Sequence, residues 1–94
     1  MEYDRKLKEY SKLVSVYDNL HSACAYLMKI SKYINFTLKV EVNGKVYEIN
    51  NHNVKRYRDF FVNKALEYLH SYFAVLREKN NIERLKEKTM VYES

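Results

Sequence analysis

The chain has 94 residues, a net charge of +5, ten tyrosines, one glycine, one cysteine and no proline. This length predicts a single domain over residues 1–94, and a hydrophobic content of 47% excludes a disordered tail. The lone cysteine excludes an internal disulfide and fits a reducing, cytoplasmic setting. The charged N-terminus does not resemble a secretory signal, and no apolar run approaches the roughly 20 residues that span a bilayer. We therefore expect no membrane association.

The first predicted element is a helical segment over residues 2–34, because apolar residues recur at helical spacing. One heptad series of aliphatic residues is accompanied by a second of tyrosines, namely Leu13, Leu20, Leu27 and Ile34, with Tyr3, Tyr10 and Tyr17. A further apolar stripe begins at residue 23 and consists of Ala23, Tyr26, Ile30 and Tyr33. A helix that is apolar on two sides requires two neighbours.

The length of this segment restricts the shape of the molecule. A straight helix over residues 2–34 measures about 50 Å, whereas a compact domain of this size is roughly 30 Å across. The helix therefore breaks, or the molecule is elongated, or the helix pairs with another chain. The best position for a break is Asp18-Asn19, because both residues are poor helix formers that cap well.

Residues 36–49 predict a two-stranded β-hairpin, since two alternating runs flank Asn43-Gly44, the dipeptide that a type I′ turn favours. A two-residue turn pairs Val42 with Lys45, Val40 with Tyr47 and Leu38 with Ile49 on one face. The other face pairs Glu41 with Val46 and Lys39 with Glu48. An isolated hairpin is marginal in water, so its apolar face must lie on the helices or on a second subunit.

A second helical segment is predicted over residues 52–79, with candidate N-caps at Asn50, Asn51 and Asn53. Its main apolar stripe includes Val54, Tyr57, Phe61, Ala65, Tyr68, Tyr72 and Leu76, and a second stripe runs through Val62, Leu66, Leu69 and Phe73. Asn80 with Glu83 resembles a capping box, which indicates a short final helix over residues 81–90. Alternatively, the long helix continues. The fold class is therefore mostly α with a small β-hairpin (α-β-β-α), in which two long antiparallel helical segments bracket the hairpin.

The residues that could act in catalysis or bind a metal are better explained by a structural role. His21 and Cys24 share a helical face and, with His52 or His70, would be half of a metal site, but their spacing matches no zinc motif. Cys24 lies within an apolar stripe, where a thiol is inert. The sequence contains no glycine-rich phosphate loop. We expect no catalytic activity, no cofactor and no metal.

Three cations, Lys55, Arg56 and Arg58, surround Tyr57 at the start of the second helix. The helix dipole disfavours cations there, by about 0.3–1 kcal/mol each at low salt, and local rules are often broken at functional sites. This cluster is our candidate site for a nucleic acid or an acidic partner, and the alternative is an ordinary solvated face.

Tyr3, Tyr10 and Tyr17 form a strip that we interpret as a self-association surface, because tyrosine is enriched at interfaces. The alternative is that they complete a modest core. The sequence favours a non-catalytic interaction or adaptor protein, namely a homodimeric accessory protein of a virus or mobile element that binds another macromolecule. A nucleic-acid-binding protein that uses the basic cluster is the second hypothesis. Abundant Lys, Asn and Tyr is also typical of AT-rich coding sequences, as in viruses and mobile elements.

Overall fold

The computed structural model describes residues 2–93 of the backbone and the side chains of residues 2–84. The chain forms helix α1 (Glu2–Ile30), strand β1 (Thr37–Val42), strand β2 (Lys45–Asn50) and helix α2 (Val54–Glu93). The two strands make an antiparallel hairpin. The predicted arrangement of two long helices around a two-stranded hairpin is confirmed.

The hairpin has the predicted turn and register. Asn43 and Gly44 have φ angles of 51° and 81°, the left-handed values that the two central residues of a type I′ turn require. Val40 is paired with Tyr47, Leu38 with Ile49 and Lys39 with Glu48. The alternation of the sequence determines this register, since a shift by one residue would turn the apolar set outwards.

The two helices are antiparallel and pack side by side. At one end, Lys79 Nζ lies 2.7 Å from Asp4 Oδ1, and the Tyr3 hydroxyl donates to Glu78. Further along, His21 of α1 contacts the backbone oxygen of Arg58 in α2. The molecule measures 70 × 23 × 13 Å. It is therefore elongated, which is one of the shapes that the sequence allowed.

The apolar face of the hairpin is covered by helices of the same chain, except at Leu38, which is 43% exposed. The Tyr47 ring packs against Tyr57, Phe60 and Phe61, with centroid distances of 5.5–5.7 Å. Val42, Tyr47 and Ile49 are buried, and Phe61 is fully inaccessible. The buried core combines both helices and the hairpin, and consists of Tyr17, Cys24, Val42, Tyr47, Ile49, Val54, Phe61 and Ala65.

Helix α1 passes through Asp18-Asn19 without a break and ends at Ile30, four residues before the predicted boundary. Two poor helix formers cost only a few tenths of a kcal/mol each, which packing of the apolar stripe outweighs. The carbonyl oxygens of Ser31 and Ile34 accept hydrogen bonds from Asn51 Nδ2. This side chain therefore satisfies backbone carbonyls of the connection that follows α1.

Helix α2 is continuous, so the separate helix over residues 81–90 and the capping box at Asn80 are wrong. The alternative, a long helix that continues, is correct, because two asparagines without Gly or Pro do not end a helix. Since Lys79 meets the start of α1, residues 80–93 continue beyond α1 for about 21 Å at 1.5 Å per residue.

Candidate interaction surfaces

One end of the molecule is organised by the side chain of Asn51, and we call it the loop end: residues 31–36, residues 51–53 and the first turn of α2. Asn51 Oδ1 accepts from the backbone N–H of Phe36 at 2.8 Å. Asn51 Nδ2 donates to Ser31 O at 3.1 Å and to Ile34 O at 2.8 Å. These three bonds hold the connection after α1 against the connection before α2.

The neighbouring asparagines shape the turn that leads into α2. Asn50 Oδ1 accepts from the N–H groups of His52 and Asn53, and Asn53 Oδ1 accepts from Asn50 N at 2.8 Å. The backbone oxygen of Asn53 accepts the first helical bond, from Tyr57 N. Asn53 thus occupies the predicted N-cap position, but its side chain bonds back to β2 and does not cap the helix.

The residues of the predicted basic cluster have three different surroundings, which are solvent, an ion pair and the core. Lys55 and Arg56 are exposed, and the Arg56 guanidinium lies 5.4 Å from the centre of the Tyr57 ring. Arg58 is partly buried and pairs with Asp59 at 3.2 Å. Tyr57 stacks on Phe61 and meets Tyr47 edge-on. Lys55 and Arg56 therefore remain open to a partner, whereas Tyr57 belongs mainly to the core.

The electrostatic surroundings of Lys55 and Arg56 favour an anion. Among the residues that the structure describes, neither cation has an acidic partner within salt-bridge distance. The start of a helix carries a partial positive charge that adds to theirs. His52 and Lys32 are exposed on the adjoining connections, and Tyr33 is 84% exposed beside Lys32.

The tyrosine strip faces α2 of the same chain. Tyr17 is 5% exposed and stacks on Tyr68 at 5.7 Å, and burial raises the pKa of its hydroxyl. Tyr10 also packs on Tyr68 at 6.1 Å, while Tyr3 donates to Glu78. Tyr17 offers almost no surface to a second chain. Self-association through Tyr3 and Tyr10, which are partly exposed, stays a prediction.

His21 and Cys24 both have a role in holding the fold together. Cys24 is 1% exposed, and burial raises the pKa of its thiol. The Nδ1 atom of His21 lies 3.2 Å from the backbone oxygen of Arg58, to which it donates as the Nδ1–H tautomer. Within the described residues, no group of three or more His, Cys, Asp or Glu side chains is arranged to hold a metal ion. These two residues therefore contribute to the contact between the helices.

A cleft of about 330 Å³ separates the tip of the hairpin from α1. It is lined by Glu9, Lys12, Leu13, Val16, Val42 and Asn43. Its volume reaches that of small-molecule sites, but its polar groups are two oppositely charged side chains and an amide. Both charged side chains, Glu9 and Lys12, are exposed to solvent.

Helix α2 exposes large apolar side chains on the side that the hairpin leaves uncovered. Leu66 and Phe73 are 49% and 50% exposed, and with Val62 and Leu69 they form the second apolar stripe that the sequence contains. Exposed apolar rows of this kind mark interaction surfaces more often than single exposed residues do. Helical periodicity in the sequence is sufficient to find this stripe. The hydrogen bonds of the Asn51 side chain cannot be found in the same way, because they follow no periodic pattern.

Comparisons of the chain with protein-family models, with curated proteins and with solved structures give no match. Over the residues described, neither helix contains a stretch long and apolar enough to cross a membrane.

Proposed function

We propose that this chain is a non-catalytic interaction protein that acts as a homodimer and binds another macromolecule. The observation that carries the proposal is the row of partly exposed apolar residues on α2, in which Leu66 and Phe73 show about half of their surface to solvent. Helical spacing places this row and Phe60, on which Tyr47 of the hairpin packs, on different sides of α2. A partner that covers it gains the hydrophobic free energy of burial, about 25 cal/mol per Å².

The surroundings of the reactive side chains support a non-catalytic role. The buried Cys24 thiol has a raised pKa, so at neutral pH it is protonated and a poor nucleophile. His21 uses a ring nitrogen for a contact between the helices. A single buried thiol also suits a reducing compartment such as the cytoplasm.

A second candidate function is nucleic-acid binding at the loop end. It is favoured by the exposure of Lys55 and Arg56, by Lys32 and His52 on adjoining connections, and by the open Tyr33 ring. Phosphate contacts by such cations depend steeply on salt, and tyrosine rings stack on unpaired bases. This candidate predicts preference for single strands and little sequence specificity.

Sedimentation or light scattering over a range of protein concentrations tests the homodimer. The expected mass is twice the 11.4 kDa of the chain. A monomer at every concentration would overturn this part of the proposal.

Fluorescence anisotropy tests the loop end with labelled single-stranded DNA, double-stranded DNA and polyglutamate at two salt concentrations. Arg56→Glu should weaken binding about tenfold or more at low salt, since it reverses a contact charge. Lys8→Glu is the matched control, because Lys8 is also exposed and lies near the opposite end of the helix pair. Binding to polyglutamate alone identifies an acidic protein as the partner, and binding to none of the probes excludes the nucleic-acid candidate.

A further inference from the structure

The two edges of the hairpin differ in their hydrogen bonding. In a hairpin with a two-residue turn, the residues that flank the turn exchange backbone hydrogen bonds, and so does every second pair further along the strands. Val42 and Lys45 flank the turn, so Val40 also bonds to β2. The residues that alternate with these on β1 direct their N–H and C=O groups away from β2, towards the free edge. They are Thr37, Lys39 and Glu41.

The edge of β2 is closed by the chain itself. The same alternation directs the backbone groups of Glu48 and Asn50 away from β1. Asn53 Nδ2 donates to the backbone oxygen of Glu48 at 3.0 Å, and Asn53 Oδ1 accepts from the backbone N–H of Asn50 at 2.8 Å. The Asn53 amide thus takes the place of a neighbouring strand, and its two bonds confirm which backbone groups point outwards.

The edge of β1 has no such cover. In the part of the chain that the structure describes, no side chain and no loop backbone group hydrogen-bonds to the backbone of Thr37, Lys39 or Glu41. All three residues are exposed, and Leu38 between them is 43% exposed. Among protein segments, an extended backbone is the one that matches the spacing of such donors and acceptors. This edge therefore selects a β-strand.

Helix α1 provides a floor beside this edge. Strand β2 packs on α2 through Tyr47, whereas Val42 of β1 lines a cleft of about 330 Å³ with Leu13 and Val16 of α1. The free edge of β1 therefore points past α1, on the side away from α2. A strand added there would lie over α1 and direct every second side chain at the helix.

The side of α1 that this strand would cover is apolar and exposed. Tyr17 stacks on Tyr68 of α2, and Leu20, three residues further on, packs against the core. Steps of three residues turn in one direction round a helix, so Ala23 and Tyr26 lie still further from α2. Ala23 is exposed, and Tyr26 is 64% exposed. Both belong to the second apolar stripe of α1, for which the described part of the chain supplies no neighbour.

The charges of β1 define the side chains of the added strand. We take the strand as antiparallel, because antiparallel pairing is the more stable per residue. Opposite charges stabilise a cross-strand pair, so the strand has a basic residue opposite Glu41, an acidic residue opposite Lys39, and apolar residues between and outside them. From its N-terminus the order is apolar, basic, apolar, acidic, apolar. Residues 38–42 have this order themselves, Leu-Lys-Val-Glu-Val.

A second complete copy of the chain does not fit this edge through its own β1. The twofold axis of such a pairing would stand perpendicular to the sheet at the edge of β1. Helix α1 lies beneath that edge, so the two copies of α1 would occupy the same space. An extended segment that carries no helix beneath it meets no such obstacle.

We propose that β1 receives an extended segment of another protein as a third, antiparallel strand, which rests on the exposed stripe of α1. The inference rests on the proposed function, because it specifies the macromolecule that the chain binds. It uses neither the exposed row of α2 nor the loop end. Failure of the experiments below would therefore leave the homodimer to its own test.

Fluorescence anisotropy at low salt tests the strand with a labelled peptide that has the sequence of residues 37–42, Thr-Leu-Lys-Val-Glu-Val. The control peptide has Lys and Glu exchanged. We expect saturable binding of the first peptide and at least about tenfold weaker binding of the second, because two attractive pairs become repulsive. Tighter binding of the control peptide, whose charges match a parallel strand, would overturn the antiparallel orientation. Binding of neither peptide would overturn the proposal.

Proline substitution tests the edge itself. Lys39→Pro removes an outward N–H without removing a bond to β2, and edge strands tolerate proline for that reason. It should weaken peptide binding at least about tenfold. Glu48→Pro is the matched control, because Glu48 opposes Lys39 and its N–H points outwards at the other edge. Unchanged peptide binding by Lys39→Pro would overturn the proposal. A wild-type dimer that Lys39→Pro converts to a monomer would identify a second copy as the occupant, and would also overturn it.

A substitution in α1 tests the floor without changing the hairpin. Ala23→Glu should weaken peptide binding at least about tenfold, because it places a charge beneath apolar side chains of the added strand. Ala74→Glu, at an exposed alanine of α2, is the matched control and should bind as the wild type does. Equal binding by both variants would overturn the position of the strand over α1.

Hydrogen exchange locates the bound peptide. The N–H groups of Lys39 and Glu41 should exchange rapidly in the free protein and become protected when the peptide is bound. The N–H of Val46, which points outwards at the edge of β2, is the internal control and should not change. Bound peptide without protection at Lys39 and Glu41 would lie elsewhere on the molecule and would overturn the proposal.

Discussion

Lys79 Nζ lies 2.7 Å from Asp4 Oδ1 and joins the start of α1 to α2. The hydrogen bond and the charge of Lys79 hold the pKa of Asp4 below its ordinary value, and Asp4 in turn raises the pKa of Lys79. Asp4 is exposed and Lys79 is partly exposed, so this contact makes a small contribution to stability that salt screens.

This pair predicts a pH dependence of stability. A carboxyl whose pKa is lowered by folding stabilises the protein above its unfolded pKa, and this contribution is lost as the pH falls through the folded pKa. Asp4→Asn should therefore lower the Tm slightly at neutral pH and low salt. The difference from the wild type should vanish in acid, once the pH falls below the lowered pKa of the folded Asp4 carboxyl, and also in high salt. Thermal unfolding at several pH values measures both effects. A difference that persists in acid would contradict the role of the carboxylate.

Phe61 is the centre of the core, with no exposed surface and with Tyr17, Tyr47, Tyr57 and Phe60 around it. Phe61→Ala should cost about 3–5 kcal/mol, because it removes buried surface and leaves a cavity. Small domains are stable by about 5–15 kcal/mol in total, so this variant should be close to unfolding. Urea denaturation measures this loss of stability. As a control, Val46→Ala on the exposed hairpin face should change the free energy of unfolding by less than about 0.5 kcal/mol.

Asn51 makes three hydrogen bonds that hold the loop end together. Asn51→Ala should reduce the free energy of unfolding by about 2–3 kcal/mol, since each lost bond contributes about 1 kcal/mol. Asn35→Ala is the control, because Asn35 is exposed and makes no side-chain hydrogen bond in the described part of the chain. Hydrogen exchange should also show faster exchange at Phe36 N–H in the Asn51 variant, and unchanged protection there would contradict the assigned bond.

Gly44 has a φ of +81°, and a Cβ built there meets nothing within 4 Å. Gly44→Ala should therefore lower the free energy of unfolding by about 1 kcal/mol. The cause is the strained backbone conformation and not a steric clash. Gly44→Asn should cost less, because asparagine tolerates the left-handed region better. Denaturation midpoints with equal m-values would measure both, and an equal loss for the two variants would argue against the conformational explanation.

Local patterns in the sequence were sufficient for the two long helices, the hairpin and its register, but not for the end of α1 or for the continuation of α2 beyond residue 79. Alternation around Asn43-Gly44 determines which residues face each other, because the side-chain period of a strand is two. Helical periodicity finds both apolar rows of α2, since residues three and four apart share a face. The row of Val62, Leu66, Leu69 and Phe73 was therefore visible as a stripe in the sequence, although the half-exposed state of Leu66 and Phe73 was not.

Contacts between distant residues were decided only by the tertiary structure. Asn51 bonds to residues 15 to 20 positions away, and no local spacing indicates such a partner. The tyrosine strip has the same periodicity whether it faces a second chain or α2, and packing on Tyr68 places one of its members, Tyr17, in the core. The helices continue through Asp18-Asn19 and Asn80-Asn81 because the local cost of these residues is small beside the propensity and packing of their neighbours. Periodicity thus determines which faces are apolar, and the tertiary packing determines which of those faces the chain covers by itself.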